Sequence, residues 1–179
     1  AIKAGEGHAF VSAGVETVSR FAGGFADGGA QNPRFAAASA RSAQRATGVA
    51  HAWTDPRDAG DLPDVYIAMG PTAENVAPVI GMSRQEQDAF GVRSQNLAEA
   101  AIANGFWATD IVPVTTPSGT VVSKDDGPRP GVTLEGVSQL SPVFRPDGTI
   151  TAGNACPLND GAAAVVIMSD TRAKDLGLT

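Results

Sequence analysis

The sequence predicts an α/β fold whose sheet elements lie near the two ends of the chain and enclose a long, loop-rich middle. Three observations carry this. The apolar run His8-Ala9-Phe10-Val11-Ser12-Ala13, stopped at Gly14, suits a buried strand, and Gly161–Met168 is an apolar run fit for a central strand. Between them, Ser83-Arg84-Gln85-Glu86 spells a capping box, in which the serine oxygen accepts a main-chain N–H of the first helical turn and the glutamate reaches back to the serine N–H. Strands and helices alternating at both ends around an irregular middle favour an α/β core bearing a large insertion.

Taken in order, Ala1-Ile2-Lys3-Ala4-Gly5 reads as the last turn of a helix closed by glycine. Ala1 is then an unusual starting point, and further chain is expected upstream. The run His8–Ala13 follows; six residues are also compatible with a short helix. From Phe21 to Asp64, Gly, Pro and Asp punctuate the chain around one alanine-rich piece, Phe35–Thr47, whose Arg41 and Arg45 share a helix face. From Ser83, residues Phe90, Ser94, Leu97 and Ala101 recur at helical spacing with Ala98 and Ile102 beside them, which predicts that this face is buried before Asn104-Gly105 ends the helix. Ile111–Thr115 and Thr120–Ser123 are short β-rich runs about Pro117-Ser118-Gly119, the pattern of a hairpin or of paired edge strands. Ser169 can N-cap a final helix that stops at Gly177.

Composition narrows the function classes. The 179 residues, 42% of them hydrophobic, fall in the single-domain range, and a formal charge of -6 with pI ≈ 4.8 argues against nucleic acid or an anionic membrane as partner. No apolar run approaches the roughly 20 residues a bilayer requires, and the N-terminus lacks the order of a secretory signal. The lone cysteine, Cys156, has no partner for an internal disulfide, so a reduced, cytoplasmic setting is the expectation.

Generic chemical motifs are scarce. There is no P-loop, no Gly-x-Ser-x-Gly and no cysteine or histidine pair with metal spacing, so no metal site is expected. Gly23-Gly24 and Gly28-Gly29 do not follow a strand and open a helix as a dinucleotide fingerprint requires. Asp125-Asp126, and Glu86 with Asp88, read as carboxylates on solvated faces. His8 and His51, the two histidines, stand apart in sequence from other titratable groups, and neither earns a catalytic role. Cys156 lies in Gly153-Asn154-Ala155-Cys156-Pro157-Leu158-Asn159-Asp160-Gly161, where dense turn chemistry beside a strand marks a site. With no base and no helix N-terminus to stabilise a thiolate, it reads as a packed or ligand-touching thiol rather than a nucleophile.

Several stretches together resemble the thiolase family: Ala13-Gly14-Val15-Glu16-Thr17-Val18-Ser19, Met69-Gly70-Pro71-Thr72-Ala73-Glu74-Asn75-Val76-Ala77 and Ser83-Arg84-Gln85-Glu86-Gln87-Asp88-Ala89-Phe90. The match continues collinearly through Asp126-Gly127-Pro128-Arg129-Pro130 and the stretch from Pro142 to Asn154 to Asn159-Asp160-Gly161-Ala162-Ala163-Ala164. Phe25–Leu62 has no counterpart in that match. The resemblance implies a thiolase-like fold, with residues 1–24 ending the N-terminal α/β half, residues 25–160 forming an inserted loop domain that holds coenzyme A, and residues 161–179 giving the last strand and helix of that half.

What the resemblance implies about function follows residue by residue. Arg129 matches an arginine near the nucleotide end of coenzyme A, where a guanidinium can stack on adenine and meet phosphate. Met69 matches a methionine beside the pantetheine and acyl tunnel, and Ala152 and Cys156 match positions lining the pantetheine arm. Many relatives carry serine where Cys156 stands, and a thiol is the weaker hydrogen-bond partner. The nucleophilic cysteine and the histidine motifs of the family have no match in this sequence, so no catalytic residue is assigned and the chain alone is expected to be inactive. Coenzyme A and acyl-CoA enter as substrates rather than as bound cofactors. The implied whole is an acyl-CoA C-acyltransferase, a homodimer or homotetramer with the remainder of the fold as partner. Asp126-Gly127-Pro128-Arg129-Pro130, and Ala68 where biosynthetic relatives have histidine, lean towards β-oxidation. The alternative is a non-catalytic, thiolase-like module that binds coenzyme A or lipid.

Overall fold

The computed structural model describes residues 1–20, 30–47 and 53–178. They divide into two compact units, Ala1–Ala30 with Leu158–Thr179, and Gln31–Pro157.

The first unit is an antiparallel ribbon. Strand β1 (Ala9–Glu16) pairs along its whole length with β4 (Gly161–Met168), Ala9 opposite Met168 and Glu16 opposite Gly161. Two apolar runs from opposite ends of the sequence thus satisfy each other's main-chain groups on one edge. The expectation of buried strands is corrected. Val15 is 74% exposed and Val11, Val165 and Val166 are open as well, because a two-stranded ribbon has no further strand or packed layer within its own unit to cover its faces. Ahead of β1, Ile2–Ala4 forms a single 3-10 turn closed by Gly5 at φ 76, the left-handed conformation that favours glycine. After β4, Ser169 caps helix α5 (Asp170–Asp175), accepting from the Arg172 N–H, while its own N–H donates to the His8 carbonyl at 2.9 Å. Asp160 closes the other end of the ribbon, accepting from the N–H of Ser19 at 2.8 Å and its hydroxyl at 2.7 Å.

Up to Asp64 the described residues of the second unit have the form the sequence suggests, irregular stretches and short turns around one helix, and three further α-helices follow. Helix α1 (Ala36–Thr47) is the alanine-rich piece, led in by a Pro33–Phe35 turn that Asn32 caps. Helix α2 (Met69–Val79) has no signal in the periodicity and carries two prolines. Pro71 fits physically because it lies in the first turn, where an N–H has no intrahelical partner, whereas Pro78 removes the N–H that would donate to the Glu74 carbonyl, and the helix ends one residue later. Helix α3 (Arg84–Ala103) begins on the complete capping box, with the Ser83 N–H donating to Glu86 at 2.8 Å. That bond, then the Ser83 hydroxyl, holds the Glu86 carboxyl below its ordinary pKa.

The packed face of α3 is the reverse of the one the apolar spacing predicts. Phe90 is 69% exposed and Leu97 is also open, whereas Asp88 is 1% exposed and Gly91 meets another segment's backbone. The unit turns its polar face inward because that face has partners, described below. The β-rich runs form the expected hairpin of β2 (Val114–Thr115) and β3 (Val121–Val122), turned through Gly119 at φ 85. Helix α4 (Leu134–Ser138) supplies Val137, which is buried with Ala38, Ala77 and Ile150. None of the described helices is long and apolar enough to cross a membrane.

Candidate functional site

The second unit is organised around the irregular segment 148–156, which two buried carboxylates grip from two helices. Glu74 of α2, 2% exposed, accepts the Thr149 N–H at 3.0 Å and the Ile150 N–H at 2.9 Å. Arg145 stands 3.6 Å away and offsets its charge. Asp88 of α3 accepts from Arg84 Nε at 2.7 Å and from Asn154 Nδ2 at 2.8 Å. Asn154 then folds back, Nδ2 donating to the Thr149 carbonyl at 2.9 Å and Oδ1 accepting the Thr151 N–H at 2.8 Å. Each buried carboxylate is therefore paired with a guanidinium and supplied with hydrogen bonds, the condition under which such a charge is tolerated.

Close packing completes the grip. A Cβ on Gly91 would lie 2.7 Å from the Gly153 carbonyl oxygen, and one on Gly153 would lie 2.6 Å from Val137. Only glycine at both positions lets α3, α4 and the segment approach this far. The sequence predicts Glu86 and Asp88 on solvated faces. The structure corrects this for Asp88, and the available signal was Arg84 four residues earlier, the spacing of a helical ion pair. Glu74 and Asn154 carry no local signal of these contacts, because Thr149 and Ile150 lie far from Glu74, and Asp88 far from Asn154, in sequence.

Of the four residues singled out for ligand contact, two are joined directly. Arg129 donates from Nη1 to the Ala152 carbonyl at 3.0 Å, and its own N–H is held by Gln95 Oε1 at 2.8 Å. Cys156 lies four residues beyond Ala152, exposed, in an irregular stretch where no helix begins. Met69 opens α2 with its side chain 77% exposed, on a first turn fixed by Gly70, where any Cβ would meet the Phe144 ring at 2.3 Å. No hydrogen bond ties Met69 to the other three among the described residues. His8 is exposed at the start of the ribbon; His51 and the glycine pairs at 23–24 and 28–29 lie outside the described residues. Among the described residues no three His, Cys, Asp or Glu side chains converge as metal ligands.

The segment 148–156 is thus held by two buried carboxylates and bonded to the exposed Arg129, with the exposed Cys156 at its end. Residues 1–171 match the family described as "Thiolase, N-terminal domain". The chain belongs to the thiolase family. It is 50% identical over 115 residues to an acetyl-CoA acetyltransferase of Thiocystis violacea, covering 62% of this chain and 29% of that thiolase relative. It is 49% identical over 123 residues to a probable acetyl-CoA acyltransferase of Staphylococcus aureus (strain COL), 65% of this chain and 31% of the relative. In three dimensions it is similar to the dimeric peroxisomal thiolase of Saccharomyces cerevisiae, with TM-score 0.71 and 31% identity over 99% of this chain and 40% of that one. An acetyl-CoA acetyltransferase from Syntrophomonas wolfei gives TM-score 0.64 and 30% identity over 98% and 41%. This thiolase chain thus spans 29–31% of the length of these curated relatives.

Proposed function

We propose that the protein carrying this chain is an acyl-CoA C-acyltransferase, which cleaves a 3-oxoacyl-CoA with free coenzyme A, and that Gln31–Pro157 holds the coenzyme A. The observation that carries this reading is the Arg129–Ala152 bond. It joins the residue matched to the nucleotide end of the ligand to the backbone matched to its pantetheine arm, so both ends of the ligand meet one rigid element. A ligand site fixed in advance loses less conformational entropy on binding.

In thiolytic cleavage a cysteine thiolate attacks the 3-oxo carbon, the C2–C3 bond breaks, and the released enolate takes a proton to leave as acetyl-CoA. The acyl group held as a thioester then passes to the thiol of incoming coenzyme A. On the resemblance, the nucleophile and its histidine lie outside Ala1–Thr179. This chain's own part is to bind: Arg129 by charge and stacking at the nucleotide, Ala152 and Cys156 along the pantetheine arm, Met69 beside the acyl tunnel. Catabolic use, a cytoplasmic setting and a homodimer, the last supported by the dimeric yeast thiolase, belong to the same proposal.

The test is an assay of the full-length protein with acetoacetyl-CoA and coenzyme A. Formation of two acetyl-CoA per acetoacetyl-CoA consumed supports the reading. Saturable binding of coenzyme A without turnover would favour the binding-module alternative.

A further inference from the structure

The same helical unit holds a cavity that the coenzyme A reading leaves unused. It measures about 640 Å³ and lies between α1, α2 and the stretch 53–64, sharing no lining residue with Arg129, Ala152, Cys156 or Met69. That size falls within the roughly 300–1,000 Å³ of small-molecule sites. One wall is built from residues 53–64. Trp53, Ile67, Val76 and Val79 make the lining largely apolar.

The lining carries three arginines and three aspartates, of which two arginines and two aspartates form ion pairs while Asp64 and Arg45 have only neutral partners among the described residues. Arg57 is paired with Asp55, and Arg41 donates to the Leu62 carbonyl at 2.8 Å and stands 3.7 Å from Asp61. Asp64 accepts from the Ser39 hydroxyl at 2.9 Å and the Tyr66 N–H at 3.1 Å. Arg45 remains, one helical turn beyond Arg41 on the same face of α1. Its Nε and Nη2 reach only the neutral Asn75 Oδ1, at 3.4 and 3.3 Å, and no carboxylate lies within 4.0 Å among the described residues. Residues 48–52, outside the described residues, read Gly-Val-Ala-His-Ala and supply none. Burial, then repulsion from the Arg145 guanidinium, lowers the Arg45 pKa.

We propose that this cavity binds a carboxylate carried on an apolar chain, the carboxylate paired with Arg45 and the chain lying against Trp53, Ile67, Val76 and Val79. The Arg45 guanidinium, which has no carboxylate beside it among the described residues, can hold one planar monoanion through two parallel N–H bonds, whereas a phosphate dianion would need a second cation that is free. Arg41 and Arg57 are already engaged. The proposal does not depend on the acyltransferase reading.

The experiment titrates the full-length protein with 12-bromododecanoate and, separately, with 12-bromododecanol, following quenching of tryptophan fluorescence by the bromine. Expected is saturable quenching by the acid that disappears in Trp53→Phe. The alcohol should bind about tenfold or more weakly, the magnitude of one lost charge-assisted bond. Arg45→Ala should abolish this preference, and Val76→Trp, which fills the cavity from α2, should block both probes. If Arg45→Ala does not fold, the comparison of acid with alcohol in the unaltered protein and the Val76→Trp variant decide. Equal binding of acid and alcohol, quenching that persists in Trp53→Phe, or unaltered binding in a folded Val76→Trp would each overturn the proposal.

Discussion

The guanidinium of Arg129 donates from Nη1 to the carbonyl oxygen of Ala152 at 3.0 Å, across 23 positions of sequence. On the proposed reading this bond fixes the distance between the two ends of the coenzyme A seat. One N–H of the guanidinium is spent on the protein, and the remainder of its donor fork and its planar face stay available to a ligand.

Arg129→Ala in the full-length protein should therefore raise the apparent coenzyme A constant about tenfold, the worth of a charge-assisted contact, while turnover at saturation changes little. Arg129→Lys should recover only part of the loss, since a lysine has no planar fork. Steady-state kinetics with coenzyme A as the varied substrate separates the two effects. Collapse of turnover at an unchanged constant would assign Arg129 a different role.

Cys156→Ser should retain turnover within about tenfold, a barrier change of about 1.4 kcal/mol or less. The thiol is exposed, no helix begins at it, and Pro157 removes the next N–H that could have steadied a thiolate. Restoring a hydroxyl should tighten coenzyme A slightly. Mass-spectrometric capture of an acyl group on Cys156, or loss of activity by several orders of magnitude in a folded variant, would contradict this.

Local signals in the sequence were readable wherever one short stretch contains both halves of an interaction. Ser83 and Glu86 sit three residues apart and build the capping box that the sequence spells, and Ser169 caps α5 for the same reason. Long-range signals were not. Glu74 meets Thr149 and Ile150, and Asp88 meets Asn154, across more than sixty residues, so nothing local marks these carboxylates as buried. The inverted face of α3 has the same origin: periodicity identifies an apolar stripe at Phe90 and Leu97, but the polar stripe at Arg84, Asp88 and Gly91 is the one with partners in this unit. Helix α2 is hidden by Pro71, which the first turn accepts because no N–H is needed there, and by Pro78, after which the helix ends within one residue.

Glu74→Gln should destabilise the full-length protein by about 1–3 kcal/mol, because an amide offers one acceptor oxygen where the carboxylate gives two and turns an N–H₂ towards main-chain donors. Arg145 would also lose its partner at 3.6 Å. Urea denaturation read through the slope-corrected midpoint measures the change. A shift below about 0.5 kcal/mol, the range of an ordinary surface substitution, would remove Glu74 from the support of this segment.

Asp55 gives a prediction in pH. The Arg57 side chain, then its N–H, lowers the Asp55 carboxyl from 3.8 to about 2. A carboxyl depressed in the folded state contributes stability that is present above its unfolded value and fades as pH falls through the folded one, here between 3.8 and about 2. The Asp55 carboxyl resonance in the full-length protein should titrate near the lower figure and move back up in Arg57→Ala. A midpoint near 4 in the unaltered protein would show that the pair does not form in solution.

The most direct test of the central claim is a crystal structure of the full-length protein with coenzyme A. The account predicts the nucleotide against the Arg129 guanidinium, the pantetheine arm in contact with Ala152 and Cys156, and the Arg129–Ala152 bond retained. Coenzyme A bound with its nucleotide away from Arg129, or with the segment 148–156 rearranged and its bonds to Glu74 and Asp88 broken, would contradict it.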